Sequence, residues 1–179
     1  MKKIFFILLF FNGLLLKAQS YAPQDKGSTV KFYIKNWGLT TVGVFNGLKG
    51  IILFDPFNIS AATINVTVDA KTINTEVSSR DNHLKKEDYF YIEKYPVLSF
   101  ASTKIISGNK QESLQAQGKL TIKGVTKEIA FPFVAKEQKE GFLFEGMFTI
   151  NRRDFNVGKG SLILSDNLNV SFSVFAKKI

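Results

Sequence analysis

From Gln19 onward, apolar and polar residues alternate along most of the chain with a period of two, the signature of strands with one buried face. Val30, Phe32 and Ile34 alternate with Lys31, Tyr33 and Lys35. Leu48, Gly50, Ile52 and Phe54 continue the pattern to Asp55-Pro56, where proline removes a ladder donor and ends the strand. Ile64, Val66 and Val68 alternate with Asn65, Thr67 and Asp69, and Leu98 and Phe100 follow Pro96. Ser107-Gly108-Asn109-Lys110 is a turn cluster. Leu120 and Ile122 run into Lys123-Gly124, and the pattern resumes from Val125 through Ile129, Phe131 and Phe133. Two turn residues ending in Gly between alternating runs predict a hairpin. Glu140-Gly141 marks another turn, followed by Phe142, Phe144, Phe148 and Ile150. Gly158-Lys159-Gly160-Ser161 reads as one more hairpin turn. Leu168, Val170, Phe172 and Val174 form the last strand. Roughly eight to nine strands with short connections result.

Two segments break the pattern. Ser78 to Phe90 is dense in charge, lacks alternation and suits a short helix near residues 78-90. Ser78 or Ser79 is placed to cap its start, with Asp81 near the positive end of the helix dipole and Leu84 turned inward. Residues 1-18 are the other exception. Lys2 and Lys3 precede Ile4 to Leu16, a run that is apolar except for Asn12 and Gly13. This is the layout of a secretory signal peptide, with cleavage expected after Ala18. The run is shorter than the roughly 20 apolar residues a membrane-spanning helix needs. Residues 19-179 then read as one domain, and export points to a bacterial periplasm.

Many short antiparallel strands close as a barrel or pack as a sandwich, and closure removes exposed edges. An eight-stranded barrel is also the size that holds one small ligand. The phenylalanines sharpen this. Phe32, Phe54, Phe100, Phe131, Phe133, Phe144, Phe148 and Phe172 occupy alternating positions on different strands, so their rings converge on one apolar interior. With Ile34, Val66 and Val68 they are the candidate ligand-binding residues. A register slip of one residue would turn any of them outward.

Composition narrows the chemistry. The chain has 179 residues, 18 of them Phe, no Cys and one His. Without Cys there are no disulfides, thiolate metal sites or Cys nucleophiles. Without Lys2, Lys3 and Lys17, the 24 basic residues fall to 21 against 15 acidic ones, a net +6. His83 has Asp81, Glu87 and Asp88 close in sequence, and on a continued helix Glu87 would lie within reach at i+4. A general base or metal ligand is one reading of His83, and a residue that orders the local structure is the favoured one. No GxSxG nucleophile motif is present, and Gly158 to Ser161 has neither P-loop nor dinucleotide spacing. No catalytic residue, metal ligand or cofactor is assigned. Lys85-Lys86, Arg152-Arg153 and Lys177-Lys178 are scattered pairs, which argues against a nucleic-acid surface. Transient contact with an anionic membrane surface stays open, as does a homodimer. A transmembrane barrel is disfavoured by the charged helical insert.

Several motifs in order resemble the YceI-like family of polyisoprenoid-binding, lipocalin-like periplasmic proteins. They are Val68 to Thr75 followed by Arg80 to Leu84, then Tyr89 to Pro96 with Leu98 to Thr103, Gly118 to Glu128, and Asn151 to Phe155. One departure stands out: where many members carry His after the first strand, this chain has Asn36-Trp37. The resemblance implies an all-β fold, an extended eight-stranded antiparallel lipocalin-like β-barrel with one short helix. It also implies an elongated apolar pocket for a long isoprenoid chain, such as a quinone tail or polyprenyl lipid, held without catalysis. Arg80, Asp81, His83 and Asn151 to Asp154 are then expected to order the helix and loops. The alternative is a structural or stress-response envelope protein whose barrel is filled by its own side chains. A hydrolase-type enzyme using His83 is the remaining class.

Overall fold

The computed structural model describes residues 19-109 and 113-179. The leader expected over residues 1-18, and Lys110 of the Ser107 turn, lie outside the described residues. In chain order the elements are β1 (Gln19–Pro23), β2 (Thr29–Asn36), β3 (Leu39–Phe54), β4 (Thr63–Asn74), α1 (Ser78–Leu84), β5 (Val97–Ser107), β6 (Ser113–Ile122), β7 (Val125–Gln138), β8 (Gly141–Asn151) and β9 (Leu164–Lys178). All pairings are antiparallel.

The sheet closes on itself. β2 to β9 pair in sequence order, and a β2–β9 ladder joins the ends. That makes an eight-stranded barrel. β1 takes no new place in the wall. It pairs with the far ends of β3 and β9, in line with β2, which pairs with the near parts of the same two strands. β1 and β2 thus fill one position, interrupted by residues 24-28. The interruption is stitched by side chains. Asp25 accepts from the amides of Gly47 (3.1 Å) and Leu48 (2.9 Å), and Ser28 Oγ accepts from Phe175 N at 2.8 Å. Gly47 has φ 75°, and a Cβ there would stand 2.7 Å from Asp69 Cβ. A side chain would therefore be both strained and crowded at this kink.

The alternation is plainest in β6, where Leu114, Ala116, Leu120 and Ile122 are buried between partly exposed neighbours. Lys123 (φ 50°) and Gly124 (φ 73°) form the tight turn between Ile122 and Val125, which are direct partners. Both central residues are left-handed, as the twist of a two-residue hairpin requires.

The helix differs from expectation in two respects. Its N-cap is Val77, without a side-chain cap, and neither Ser78 nor Ser79 plays that role. Asp81 turns back instead and accepts from the Thr75 amide at 2.9 Å and from the Thr75 hydroxyl. The helix also ends at Leu84, and residues 85-95 continue as hydrogen-bonded turns. Gly158 to Ser161 likewise is no tight turn, although it lies between the antiparallel partners β8 and β9. It belongs to an irregular connection that follows a 3-10 turn at Arg152–Phe155 and leads into β9.

The two barrel ends are unlike. At the end that holds β1, Tyr21, Phe54, Phe142 and Phe144 form a floor of edge-to-face rings. Tyr21–Phe142 lie 5.4 Å apart, Phe54–Phe142 5.0 Å and Phe54–Phe144 5.3 Å. Each such pair is worth about 0.5–1.5 kcal/mol beyond the burial itself. Burial in this floor raises the Tyr21 hydroxyl above its ordinary pKa, with Glu137 and Asp55 adding to the effect. The opposite end carries α1, the turns after it and the Arg152–Phe155 segment.

Candidate functional site

Above the aromatic floor the barrel is hollow. A cavity of about 380 Å³ runs along the axis, a size typical of small-molecule sites. Of the eleven candidate residues, Phe32, Ile34, Val66, Val68, Phe100, Phe131, Phe133, Phe144, Phe148 and Phe172 border it. Phe54 does not. It is the last residue of β3, beyond Ile52, which still borders the cavity, and packs against Phe142 and Phe144 in the floor.

So many rings could fill a small barrel, and the way they lie explains why they do not. Phe32 is the direct partner of Gly43, and a Cβ on Gly43 would collide with its ring. Phe172 faces Gly146, where a Cβ would stand 2.6 Å from the ring. Phe100 leans over Gly118 in the same way, at 2.7 Å. Each ring occupies the space of a missing neighbouring side chain and lies along the wall, so the axis stays free. The other rings brace these. Phe131 stacks on Phe148 at 4.7 Å and meets Phe172 edge-on at 5.6 Å.

Polar atoms reach the cavity at the α1 end. Arg152 is 3% exposed, yet each of its three guanidinium nitrogens has an acceptor. Nε donates to Ser165 O (3.0 Å), Nη1 to Val157 O (2.8 Å) and Nη2 to Asp166 Oδ1 (2.6 Å). A buried charge with this many acceptors is tolerable where an unpaired one would not be. Asn151 Oδ1 accepts from Arg153 N and holds the start of the 3-10 turn. Arg80 donates to Thr75 Oγ1 (2.7 Å) and Thr75 O (2.6 Å), so Arg80 and Asp81 fix the chain entering α1. His83 borders the cavity and is exposed to solvent, so the cavity reaches the surface beside α1. Its ring meets Tyr89 at 4.9 Å. The helix stops before Glu87, which removes the i+4 relation to His83. Among the described residues, no cluster of three or more His, Asp or Glu side chains is arranged to hold a metal ion.

The loops at this end are tied together. Lys123 Nζ donates to Asn156 O at 2.7 Å, and Gly158 N donates to Asp88 O at 2.8 Å. Burial lowers the pKa of Lys123, and Asp88 and Glu87 oppose that shift.

The sequence model of the YceI-like domain matches residues 21–176. The chain belongs to the YceI-like family. Protein YceI of Salmonella arizonae is 30% identical over 161 residues, covering 84% of this chain and 82% of the relative. Burkholderia cenocepacia BcnA shares the fold with a TM-score of 0.80 at 24% identity, covering 85% of this chain and 98% of BcnA. A polyisoprenoid binding domain from Saccharophagus degradans, implicated in plant cell wall breakdown, shares it with a TM-score of 0.71 at 15% identity, covering 91% and 99%.

In this YceI-like barrel, sequence reasoning missed Phe45, Phe90 and Phe155, which also border the cavity. Thr41 to Phe45 reads Thr-Val-Gly-Val-Phe, apolar on both faces, so period two cannot tell which side points inward. Phe90 and Phe155 sit outside the strands, where no periodicity exists to read. Phe45 meets Phe90 at 5.5 Å, so the turns after α1 roof the cavity wall.

Proposed function

We propose that the protein binds and carries a long apolar lipid of isoprenoid type, a quinone tail or polyprenyl chain, in the barrel interior without catalysis. The leader-like pattern of residues 1-18 supports a periplasmic setting for this role. The supporting observation is the hollow axis itself. Rings parked over glycines keep open a channel with apolar walls, and a barrel evolved only to fold would gain by filling it. Burial of each methylene-sized group contributes roughly 0.8 kcal/mol, so a five-carbon isoprene unit contributes about 4 kcal/mol. A few units then suffice without directional contacts, which leaves a headgroup at the open α1 end of the cavity. The Saccharophagus degradans domain shares the fold, and the lipid reading for this chain rests on its own cavity.

Native mass spectrometry of the protein from the expressing cell tests this, followed by delipidation and titration with geranylgeraniol. Bound lipid and saturable uptake are expected, both unchanged in His83→Ala. Protein that emerges empty and takes up no geranylgeraniol would overturn the proposal in favour of a purely structural envelope role. Loss of a hydrolytic activity in His83→Ala would point to an enzyme.

A further inference from the structure

The α1 end of the barrel carries an apolar tip with no partner among the described residues. β2 and β3 are joined by Trp37-Gly38, and Trp37 is 73% exposed, with Leu39 beside it at 75%. The connection into β9 runs alongside. Trp37 N donates to Ile163 O at 2.9 Å, and Asn36 pairs with Leu164. Leu162 at its crest is fully exposed, and Ile163 is 41% exposed. Ser161 Oγ accepts from the amides of Ile163 (3.2 Å) and Leu164 (3.1 Å), which bends the chain so that Leu162 stands at the apex.

Trp37 is kept there against backbone preference. Its φ is 52° and that of Gly38 is 75°, the pair required by a two-residue turn. Asn, Asp or Gly suits the first position, whereas a bulky side chain at positive φ is disfavoured. An exposed tryptophan gains nothing from burial to offset this within the monomer. Its value lies outside the fold.

The surroundings indicate what meets it. Residues 35-41 and 156-164 contain Lys35 and Lys159 and no acidic residue. Just outside these stretches Arg153 is exposed, with the exposed Asp154 beside it, so the net positive charge at the tip comes from Lys35 and Lys159. Asn36 and Leu164, the residues next to the tip, border the cavity. The tip is thus an aromatic and aliphatic crest flanked by cations at the cavity's solvent end, the arrangement that enters the interface of an anionic bilayer. A second copy is a poor occupant. Four protruding side chains fall far short of the roughly 20–30 residues a side of a stable protein interface.

We infer that Trp37, Leu39, Leu162 and Ile163 dock the cavity end of the barrel onto an anionic lipid bilayer. The purpose assigned to this contact, loading or release of the cargo, rests on the lipid-carrier reading above; the contact itself is measured independently of it.

Trp37 is the sole tryptophan in the chain, so its emission reports the tip directly. The protein as recovered from the expressing cell is mixed with phosphatidylglycerol–phosphatidylethanolamine vesicles, and separately with phosphatidylcholine vesicles. Trp37 emission should shift to the blue with the anionic vesicles, and lipids brominated high on the acyl chain should quench it. Leu162→Ser should weaken the response about tenfold. Trp37→Asn, which suits the turn, should fold normally and reduce vesicle flotation to a similar degree. Both variants should bind geranylgeraniol in vesicle-free buffer as the parent does. Trp37 emission unmoved by anionic vesicles overturns the docking proposal while leaving the carrier reading intact. A parent that is dimeric without vesicles, with both variants monomeric, overturns it in favour of a second copy as occupant. Vesicle docking without geranylgeraniol uptake upholds the contact and removes the carrier reading.

Discussion

A glycine with nothing unusual in its backbone decides how wide the cavity is. Gly43 sits in a strand, where glycine normally weakens packing and costs conformational entropy. Its place follows from Phe32, whose ring takes the volume a side chain at 43 would fill. Gly43→Ala should push that ring toward the axis. The expected stability loss is about 1–3 kcal/mol, as for other overpacked sites, together with weaker binding of geranylgeraniol. Thermal unfolding and lipid titration read the two effects. Phe32→Leu in the Gly43→Ala background removes the colliding ring and should restore much of the stability, giving a large coupling in a double-mutant cycle. Additive effects would show that the ring is not what the glycine accommodates. Such cross-strand relations are invisible along the chain. Phe32 is readable from its alternation and Gly43 is an unremarkable letter until the register pairs the two.

At the scale of elements, the α1 end depends on one arginine. Arg152 joins the 3-10 turn to the start of β9 through two backbone carbonyls and the Asp166 carboxylate. Arg152→Met leaves both carbonyls unpaired in a buried place. It should cost about 2–4 kcal/mol in urea-induced unfolding. Asp166→Asn should cost about 1 kcal/mol or less, because the Asp166 side chain is 44% exposed and the arginine retains its carbonyl partners. Equal losses for the two variants would mean that the ion pair, and not the backbone contacts, supports the loop. The strands flanking this region were legible, since alternation at Val30 to Ile34 and Phe142 to Ile150 falls where β2 and β8 lie. The helix boundary was not. Ser78 and Ser79 look like caps, but Asp81 is drawn back to Thr75, and tertiary anchoring overrides local cap preference. The Gly158 segment failed for a related reason. The flanking strands β8 and β9 do pair, but Arg152 and Phe155 are committed to burial in a 3-10 turn, so a long irregular connection joins the two strands where a tight turn was expected.

At the scale of the whole molecule, closure and hollowness are separate properties. Closure follows from the ladders: β2 meets β9, and β1 completes the line that β2 leaves short. The strand count and the resemblance together made that closure legible. Hollowness needed the register, the glycine–ring contacts and the aromatic floor at Phe54. It also has a thermodynamic consequence. The walls make contacts with one another but forgo those a filled core would supply, so the empty barrel is less stable than the occupied one. A ligand that binds only the folded barrel stabilises it by mass action, about 2.7 kcal/mol at a free concentration a hundredfold above Kd. For a domain of about 160 residues that corresponds to a rise in Tm of roughly 5–11 °C. Delipidated protein titrated with isoprenoid alcohols of increasing length should show this rise growing with chain length until the cavity is full, then levelling. Gly43→Ala should level at a shorter chain, because the displaced ring takes part of the axis. A Tm indifferent to chain length would mean that the alcohols bind outside the barrel, since only an enclosed cavity of fixed length can count carbons.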